Sequence, residues 1–228
     1  MHMTGIRLSL STLCLLLATP LAADEARMLV GMHIAGQRQD LDFGNETRET
    51  RIDSIDIYWY EKLNSRIEGG LLLGYQEITQ TTNPIEAGQA LSGEYLGITL
   101  RVNLLQASHV AMFTDFKYRY SSAGRSLSGQ DIDWRWHEGQ VELGLELALG
   151  QSLALTAGAG ARRISGRESA TGTVSAVTSF DSPESAYARG GLRLLLDPYS
   201  HVGIEGSAGC LLYTSPSPRD RTRSRMPS

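Results

Sequence analysis

The stretch from Val141 to Gly150, VELGLELALG, alternates strictly between two kinds of side chain. Valine and four leucines occupy one parity, while Glu142 and Glu146 share the other parity with Gly144 and Ala148. A repeat of two residues is the period of a β-strand, whose side chains point alternately to the two faces of a sheet. A helix would place Glu142 and Glu146 one turn apart beside leucines, without a separate polar face. The pattern therefore predicts a strand with one aliphatic face and one ionic face.

The same alternation recurs along the chain between Arg27 and Gly209, where polar segments interrupt it. It predicts nine strands, at residues 27–36, 52–61, 66–76, 94–104, 109–120, 134–149, 152–164, 187–196 and 201–209. The predicted connections alternate between short turns and long polar loops, and the long ones are residues 37–50, 79–93, 121–133 and 165–184. This alternation is typical of an antiparallel up-and-down transmembrane β-barrel, which has tight periplasmic turns and longer outer loops. Because such barrels have an even number of strands, we expect about ten in the intact protein, or eight if one assignment is wrong.

Both ends of the sequence differ from this body. Residues 1–23 contain Arg7, a short leucine-rich run and small residues before Asp24, which together predict a cleaved secretory signal peptide. Residues 210–228 begin with CLLYTSPSPRD, which resembles a translated sequencing-library adaptor. We interpret this segment as a non-native tail that replaces the last strand; a natural disordered tail of this composition is the alternative. The barrel domain is then expected to be residues 24–209, truncated after the ninth strand.

Removing both ends changes the chemistry expected of the protein. The tail carries four arginines and one aspartate and the leader carries Arg7, so the formal charge moves from −4 to about −8. An acidic body disfavours nucleic acid as a partner. Cys14 lies in the predicted leader and Cys210 in the predicted tail, so we expect neither a disulfide nor thiol chemistry in the mature barrel.

The composition of the two strand faces favours a membrane barrel over a soluble one. A soluble barrel fills its interior with bulky apolar rings, whereas the apolar face here is mostly Leu, Val, Ile and Ala. The other face mixes glycine with charges of both signs, which suit a narrow lumen closed by ion pairs. These charged residues are Asp56, Glu68, Asp115, Glu138, Glu142, Glu146 and Glu205 with Arg101, Lys117, Arg119, Arg162, Arg189 and Arg193. We therefore expect lipid outside the aliphatic face and a lumen inside the ionic face.

Aromatic residues gather near both ends of the predicted strands, as expected for rings at the depth of lipid headgroups. Those near the outer ends are Tyr75, Tyr95, Tyr118, Tyr120, Trp134, Trp136 and Tyr187, and those near the inner ends are Trp59, Tyr60 and Tyr199. Trp134 and Trp136 share parity with the glutamates, so they join an outer belt only if a β-bulge shifts the register.

With these features, residues 27–209 resemble the small outer-membrane β-barrel proteins of Gram-negative bacteria, a size class that includes the omptins. The resemblance is one of architecture. It implies a location in the cell outer membrane, contact with outer-membrane lipid and insertion by the barrel-assembly machinery.

Three functions are compatible with such a barrel. The first is a non-enzymatic structural or adhesive role, in which outer loops, especially residues 165–184, contact an extracellular ligand. The second is an outer-surface hydrolase, either an omptin-like protease or a lipid-modifying barrel with a luminal histidine such as His33. The acidic and imidazole groups expected near the outer ends of strands for a protease are Asp40, Asp42, Asp131, Asp133 and His137. The third is a small-solute pore, against which the luminal charges argue because a barrel of about ten strands has little free bore.

The remaining candidate groups predict no chemistry. His109 and His201 adjoin turns, and no cluster has the spacing of metal ligands. Asn45 begins an Asn-Glu-Thr pattern, which is an acceptor site for N-glycosylation and is expected to be unused in a bacterium. The glycines around Gly158 and Gly160 precede no helix, which argues against a nucleotide site. The sequence therefore assigns no catalytic residue, no metal ligand and no cofactor.

Overall fold

In the computed structural model, nine strands form one closed sheet, and no helix long and apolar enough to cross a membrane occurs among the described residues. The structure describes residues 28–44, 46–80, 90–127, 129–172, 175–197 and 200–210. The strands are β1 (Met28–Asp42), β2 (Thr47–Lys62), β3 (Ile67–Gln80), β4 (Leu91–Gln106), β5 (Val110–Leu127), β6 (Gln130–Ala148), β7 (Leu153–Gly172), β8 (Ala176–Asp197) and β9 (Ser200–Cys210). The predicted all-β barrel of consecutive strands is confirmed. The predicted signal peptide and the tail after Cys210 lie outside the described residues.

The ring closes through β1 and β9, which are parallel, whereas every other neighbouring pair is antiparallel. An odd number of up-and-down strands leaves the first and last strands pointing the same way, so a parallel pair closes this ring of nine. The pairing of β9 with β8 ends at Cys210, whose partner is Ala186. Farther along β1 and β8, these two strands pair with each other at one position, Asp42 with Asp181. A tenth strand between β9 and β1 would be antiparallel to both. The expected strand count of the intact protein stays a prediction.

The long loops expected from the sequence are largely strands, so the predicted alternation of short and long connections is wrong. Only residues 43–46, 128–129 and 173–175 separate the strands at three of these places. At the fourth, β3 continues to Gln80 and β4 begins at Leu91, and residues 81–89 lie outside the described residues. We call this end of the barrel distal, and the end with connections 63–66, 107–109, 149–152 and 198–199 proximal.

The predicted orientation of the two faces is confirmed in the proximal half of the barrel. Leu143 is 52% exposed, whereas its neighbour Glu142 is 1% exposed. The outward aliphatic and aromatic residues that form a belt around the barrel include Ile34, Ile55, Ile57, Trp59, Leu71, Leu73, Tyr75, Leu96, Ile98, Leu100, Phe116, Tyr118, Val141, Leu143, Leu145, Leu147, Leu155, Leu192, Leu194 and Ile204. We call this surface the aliphatic belt. The charged residues predicted to be luminal lie on the opposite face.

Inward glycines make room for rings from the neighbouring strand. These cross-strand pairs are Gly31–Tyr58, Gly70–Tyr60, Gly74–Tyr95, Gly144–Phe113, Gly160–Tyr187 and Gly166–Trp136. A Cβ built on Gly74 would lie 2.3 Å from Cζ of Tyr95. A glycine opposite an aromatic residue therefore lets a narrow barrel hold large rings inside without a steric clash.

At the distal end the two faces exchange polarity. The interior there is an apolar cluster, which we call the distal core: Leu41, Phe43, Ile52, Ile78, Leu91, Ala123, Ile132, Trp134, Trp136, Ile164 and Phe180. The outward side chains at this level are charged and exposed, among them Arg38, Glu49, Arg51, Glu77, Glu94, Asp133, Arg135 and Arg167. Apolar inside and charged outside is the arrangement of a protein in water.

The predicted aromatic belts are wrong for five rings. Tyr60, Tyr95, Trp134, Trp136 and Tyr187 point inward and are at most 7% exposed. The bulge invoked to turn the tryptophans outward is absent, because β6 pairs in unbroken register with β5 and β7 across both residues. Of the rings predicted for the belts, Trp59, Tyr75, Tyr118 and Tyr120 do point outward, and Tyr199 lies outside the described residues.

Candidate functional site

The barrel encloses a luminal cavity of about 290 Å³ below the distal core. Lys62, Glu68, Asn103 and Gln106 line it at the proximal end, and none of the distal-core residues lines it. The cavity is therefore open towards the proximal turns and separated from the distal end by packed apolar side chains. Its lining combines arginines, lysines, carboxylates and both luminal histidines, His33 and His201.

Two ion pairs on β5 anchor one wall of the luminal cavity. Asp115 is fully buried and accepts two hydrogen bonds of 2.8 Å from the Arg101 guanidinium, which belongs to β4. Arg119 donates to both oxygens of Glu138 at 2.7 Å, and Glu138 on β6 is 2% exposed. The Arg101–Asp115 pair is bidentate, with one bond from Nε and one from Nη2, and this geometry is the strongest form of such a pair. In a low dielectric it offsets the cost of burying the charges.

A second network joins the opposite wall. Arg189 on β8 donates to both Glu142 and Glu205, while the Tyr187 hydroxyl donates to Glu142 at 2.8 Å. Nearer the proximal end, Arg193 pairs with Glu146 at 2.6 Å. The ion pairs predicted for the lumen are present, although a cavity remains between them and the apolar distal core closes the bore. Each carboxylate in these two networks is held by a guanidinium from another strand.

His33 lies between Glu205 and a further luminal carboxylate, Asp56, as its predicted luminal position requires. Its Nε2 is 3.1 Å from Glu205 and its Nδ1 is 3.7 Å from Asp56. Both carboxylates have other donors, because Arg189 contacts Glu205 and Tyr95 donates to Asp56 at 2.7 Å. The arrangement is that of a cross-linked network, in which His33 bridges β2 and β9.

His201 is the other buried imidazole of the lumen. It is 3% exposed, and its ring centroid lies 5.0 Å from that of Tyr58. Neither ring nitrogen has a hydrogen-bond partner among the described residues. The prediction from sequence placed His201 beside a turn without a role, and the alternation of β9 alone could have placed it in the lumen.

The structure does not bring the predicted rim hydrolase residues together. Asp131, Asp133 and His137 all lie on the outward face of β6, and a strand rise of four residue steps puts about 13 Å between the backbones of Asp133 and His137. Asp133 pairs with Arg135 at 3.3 Å. His137 instead contacts Tyr118, whose hydroxyl is 2.6 Å from Nδ1. No shared water could contact the carboxylate and the imidazole at once.

Asp40 and Asp42, the remaining candidates for that hydrolase, lie on β1, which does not pair with β6. Asp42 accepts a hydrogen bond from the backbone of Gly44 at 2.7 Å, so it shapes the connection from β1 to β2. Within the part of the chain that the structure covers, no three His, Cys, Asp or Glu residues are arranged to hold a metal ion.

A polar network inside the distal core is absent from the sequence predictions. Arg48 and the Trp134 indole nitrogen both donate to Glu168, at 3.3 and 2.8 Å. Arg48 also covers the Phe43 ring at 3.9 Å from its centroid. The sequence did contain a feature that predicts the inward position of Trp134. Trp134 and Trp136 have the same parity as Glu138 and Glu142, so a strand without a bulge places all four side chains inside the barrel.

Comparison with protein-family models and with curated proteins finds no match to this chain.

Proposed function

We propose that this protein is an integral β-barrel of a Gram-negative outer membrane with a non-enzymatic structural or interaction role. The aliphatic belt carries the proposal. Soluble monomers rarely expose contiguous apolar patches beyond a few hundred Å², whereas hydrocarbon around a closed barrel stabilises such a surface. Outer-membrane lipid is accordingly the first partner of the chain, and the barrel-assembly machinery is expected to insert it.

The height of the aliphatic belt supports a bilayer as its surroundings. On β6 and the residue that follows it, the belt runs from Val141 to Leu149, which spans about 19–22 Å along the barrel axis for strands tilted by about 35–45°. The apolar band of outer-membrane barrels is about 25 Å tall. Above Val141, β6 continues over 11 further residues to Gln130, so the charged outer surface of the distal end would project about 25–30 Å from the bilayer into water.

The distal end supports an interaction role for a surface built of strands, in place of the long outer loops expected from the sequence. β7 and β8 form a continuous hairpin there, and the distal core holds it from inside. An extracellular partner would meet exposed polar strands such as residues 165–171. Neither a hydrolase nor a pore gains support from the geometry, because the rim residues are apart and the luminal cavity ends below the distal core.

Expression with the leader and fractionation of the envelope tests the location. The protein should sediment with outer membranes, resist extraction by alkaline carbonate and change its gel mobility on heating. Recovery as a soluble protein in the periplasm or medium without detergent would overturn the proposal.

A matched pair of arginine substitutions tests the aliphatic belt itself. Leu143→Arg lies within the belt and should cost about 2–4 kcal/mol of folding free energy in lipid vesicles. Ser165→Arg, on the outward face of β7 at the distal end, should change it by less than about 0.5 kcal/mol. Equal effects of the two substitutions would contradict a bilayer around the belt.

A further inference from the structure

The wall of the luminal cavity presents more positive than negative groups. Seven basic side chains and four carboxylates line it. Three further carboxylates, Asp115, Glu138 and Glu142, are at most 2% exposed and lie behind the arginines that they bind. A solute that enters the cavity therefore meets guanidinium and ammonium groups before it meets most of the acidic groups.

Four inward residues form a row across adjacent strands, and three of them, Lys117, Gln140 and Arg162, line the cavity. Thr99, Lys117, Gln140 and Arg162 are direct cross-strand partners on β4, β5, β6 and β7. Lys117 and Arg162 are two strand spacings apart, which is about 10 Å between their backbones. Their long side chains can converge on one small group in front of Gln140.

The cation of Lys117 has no acceptor of its own within this network. Its two acidic neighbours on the inner face, Asp115 and Glu138, are each held through both oxygens by Arg101 and Arg119. Among the described residues, Lys117 makes no ion pair within 4.0 Å, and its electrostatic attraction to these two carboxylates acts only over a longer distance. An ammonium offers three donors, so this position has spare hydrogen-bonding capacity.

Arg162 and Thr99 also keep unused polar atoms. The Nε of Arg162 is buried without a hydrogen-bond partner, and its nearest carboxylate is Glu138 at 3.5 Å, which Arg119 already occupies. Arg162 is 4% exposed, and the Tyr187 ring covers its guanidinium at 4.4 Å. The Thr99 hydroxyl is likewise buried without a partner among the described residues. Buried donors of this kind are normally satisfied by an acceptor, which the protein side chains do not supply here.

We propose that the luminal cavity binds a small oxyanion, with the size and charge of inorganic phosphate, between Lys117 and Arg162. The cavity volume of about 290 Å³ corresponds to about ten waters, so it admits such an anion with part of its hydration shell. Entry is from the proximal end, where the cavity opens beside Lys62. The inference concerns the lumen alone and does not depend on the surroundings of the aliphatic belt.

Lysine chemistry tests the site in the unsubstituted protein, because Lys62 and Lys117 are the only two lysines of the chain. Acetylation of folded protein in detergent, followed by mass spectrometry of the two peptides, gives both rates in one sample. Phosphate or sulfate should slow acetylation of Lys117 at least about tenfold relative to Lys62, and chloride at equal ionic strength should not. Equal protection of the two lysines, or no protection by either oxyanion up to tens of millimolar, overturns the proposal.

Direct titration with phosphate by calorimetry adds matched variants. Lys117→Gln should weaken phosphate binding at least about tenfold, and Lys117→Arg should retain it within a few-fold. The control is Arg163→Gln, which removes an outward, exposed arginine next to Arg162 and should leave the affinity within about twofold. Phosphate affinity unchanged by Lys117→Gln, or reduced equally by Arg163→Gln, overturns the assignment. If Lys117→Gln does not fold, the acetylation rates of the unsubstituted protein decide the question.

Discussion

Replacement of Gly74 by alanine should destabilise the barrel by about 3–5 kcal/mol, although it adds only one methyl group. Gly74 faces the lumen directly opposite Tyr95 on the neighbouring strand. A Cβ at this position would lie 2.3 Å from Cζ and 2.5 Å from the hydroxyl oxygen of Tyr95. Ordinary contact between such atoms begins near 3.5 Å, so the tip of the ring must move by more than about 1 Å.

The Tyr95 ring cannot move at low cost. It is 2% exposed, and its hydroxyl donates to the buried Asp56 carboxylate at 2.7 Å. Overpacking of a tight interior costs about 1–3 kcal/mol. Loss of a hydrogen bond to a charged group adds about 1.5–3 kcal/mol. The two terms partly overlap, which gives the expected 3–5 kcal/mol.

Denaturant unfolding in detergent micelles, followed by tryptophan fluorescence, measures this free energy. The control is Gly190→Ala, where the new Cβ points outward and meets no atom within 4 Å; it should be neutral or stabilise by up to about 1 kcal/mol. In a Tyr95→Leu background the cost of Gly74→Ala should fall by at least about 1.5 kcal/mol. Equal costs at Gly74 and Gly190, or no coupling to Tyr95, would refute the packing argument.

Three further predictions concern other parts of the lumen. Arg189→Met leaves the buried Glu142 carboxylate without its cation and should lower the free energy of unfolding by about 3–5 kcal/mol in the same assay. The control Arg163→Met should change it by less than about 0.5 kcal/mol. Similar values for the two variants would mean that the luminal ion pairs do not stabilise the fold. Trp134→Ala opens a void in the distal core and should lower the free energy of unfolding by about 3–5 kcal/mol, with faster proteolysis at the distal end. Unchanged proteolysis would contradict a packed distal core. In planar lipid bilayers the unsubstituted protein should give no stepwise conductance, because the distal core fills the bore, and regular single-channel steps would contradict that closure.

The alternation of residue types was sufficient to predict the strands and their faces in the proximal half. Leu143 and Glu142 illustrate the reason: outward-facing and lumen-facing positions differ so strongly in polarity that parity alone separates them. The same argument placed Arg101, Lys117 and Arg189 in the lumen. It could not predict their partners, because cross-strand register depends on turn geometry and on bulges such as the one between Asn103 and Leu105.

The prediction of long loops in the distal half is wrong because the inward and outward faces exchange polarity there, although each strand continues to alternate between the two faces. Around Asp131 and Asp133 the outward residues are acidic and the inward residues are Ile132 and Trp134, so the expected lipid-facing pattern ends although the strand does not. Residues 165–184 are rich in Ser, Gly and Thr, which favour loops when counted alone. Tertiary packing against the distal core overrides that local preference. The row from Thr99 to Arg162 depends on the register of four strands, and single-strand patterns do not contain that information.

The aliphatic belt is tested most directly by quenching of tryptophan emission in vesicles whose lipids carry bromine in their acyl chains. Trp59 points outward in the belt and is 45% exposed, whereas Trp134 and Trp136, the other two tryptophans of the chain, are 1% and 2% exposed inside the barrel. Brominated lipid should quench a distinct part of the emission, and Trp59→Phe should abolish that quenching. Emission that brominated lipid leaves unchanged, or quenching that persists in Trp59→Phe, would contradict a barrel whose outer face meets hydrocarbon.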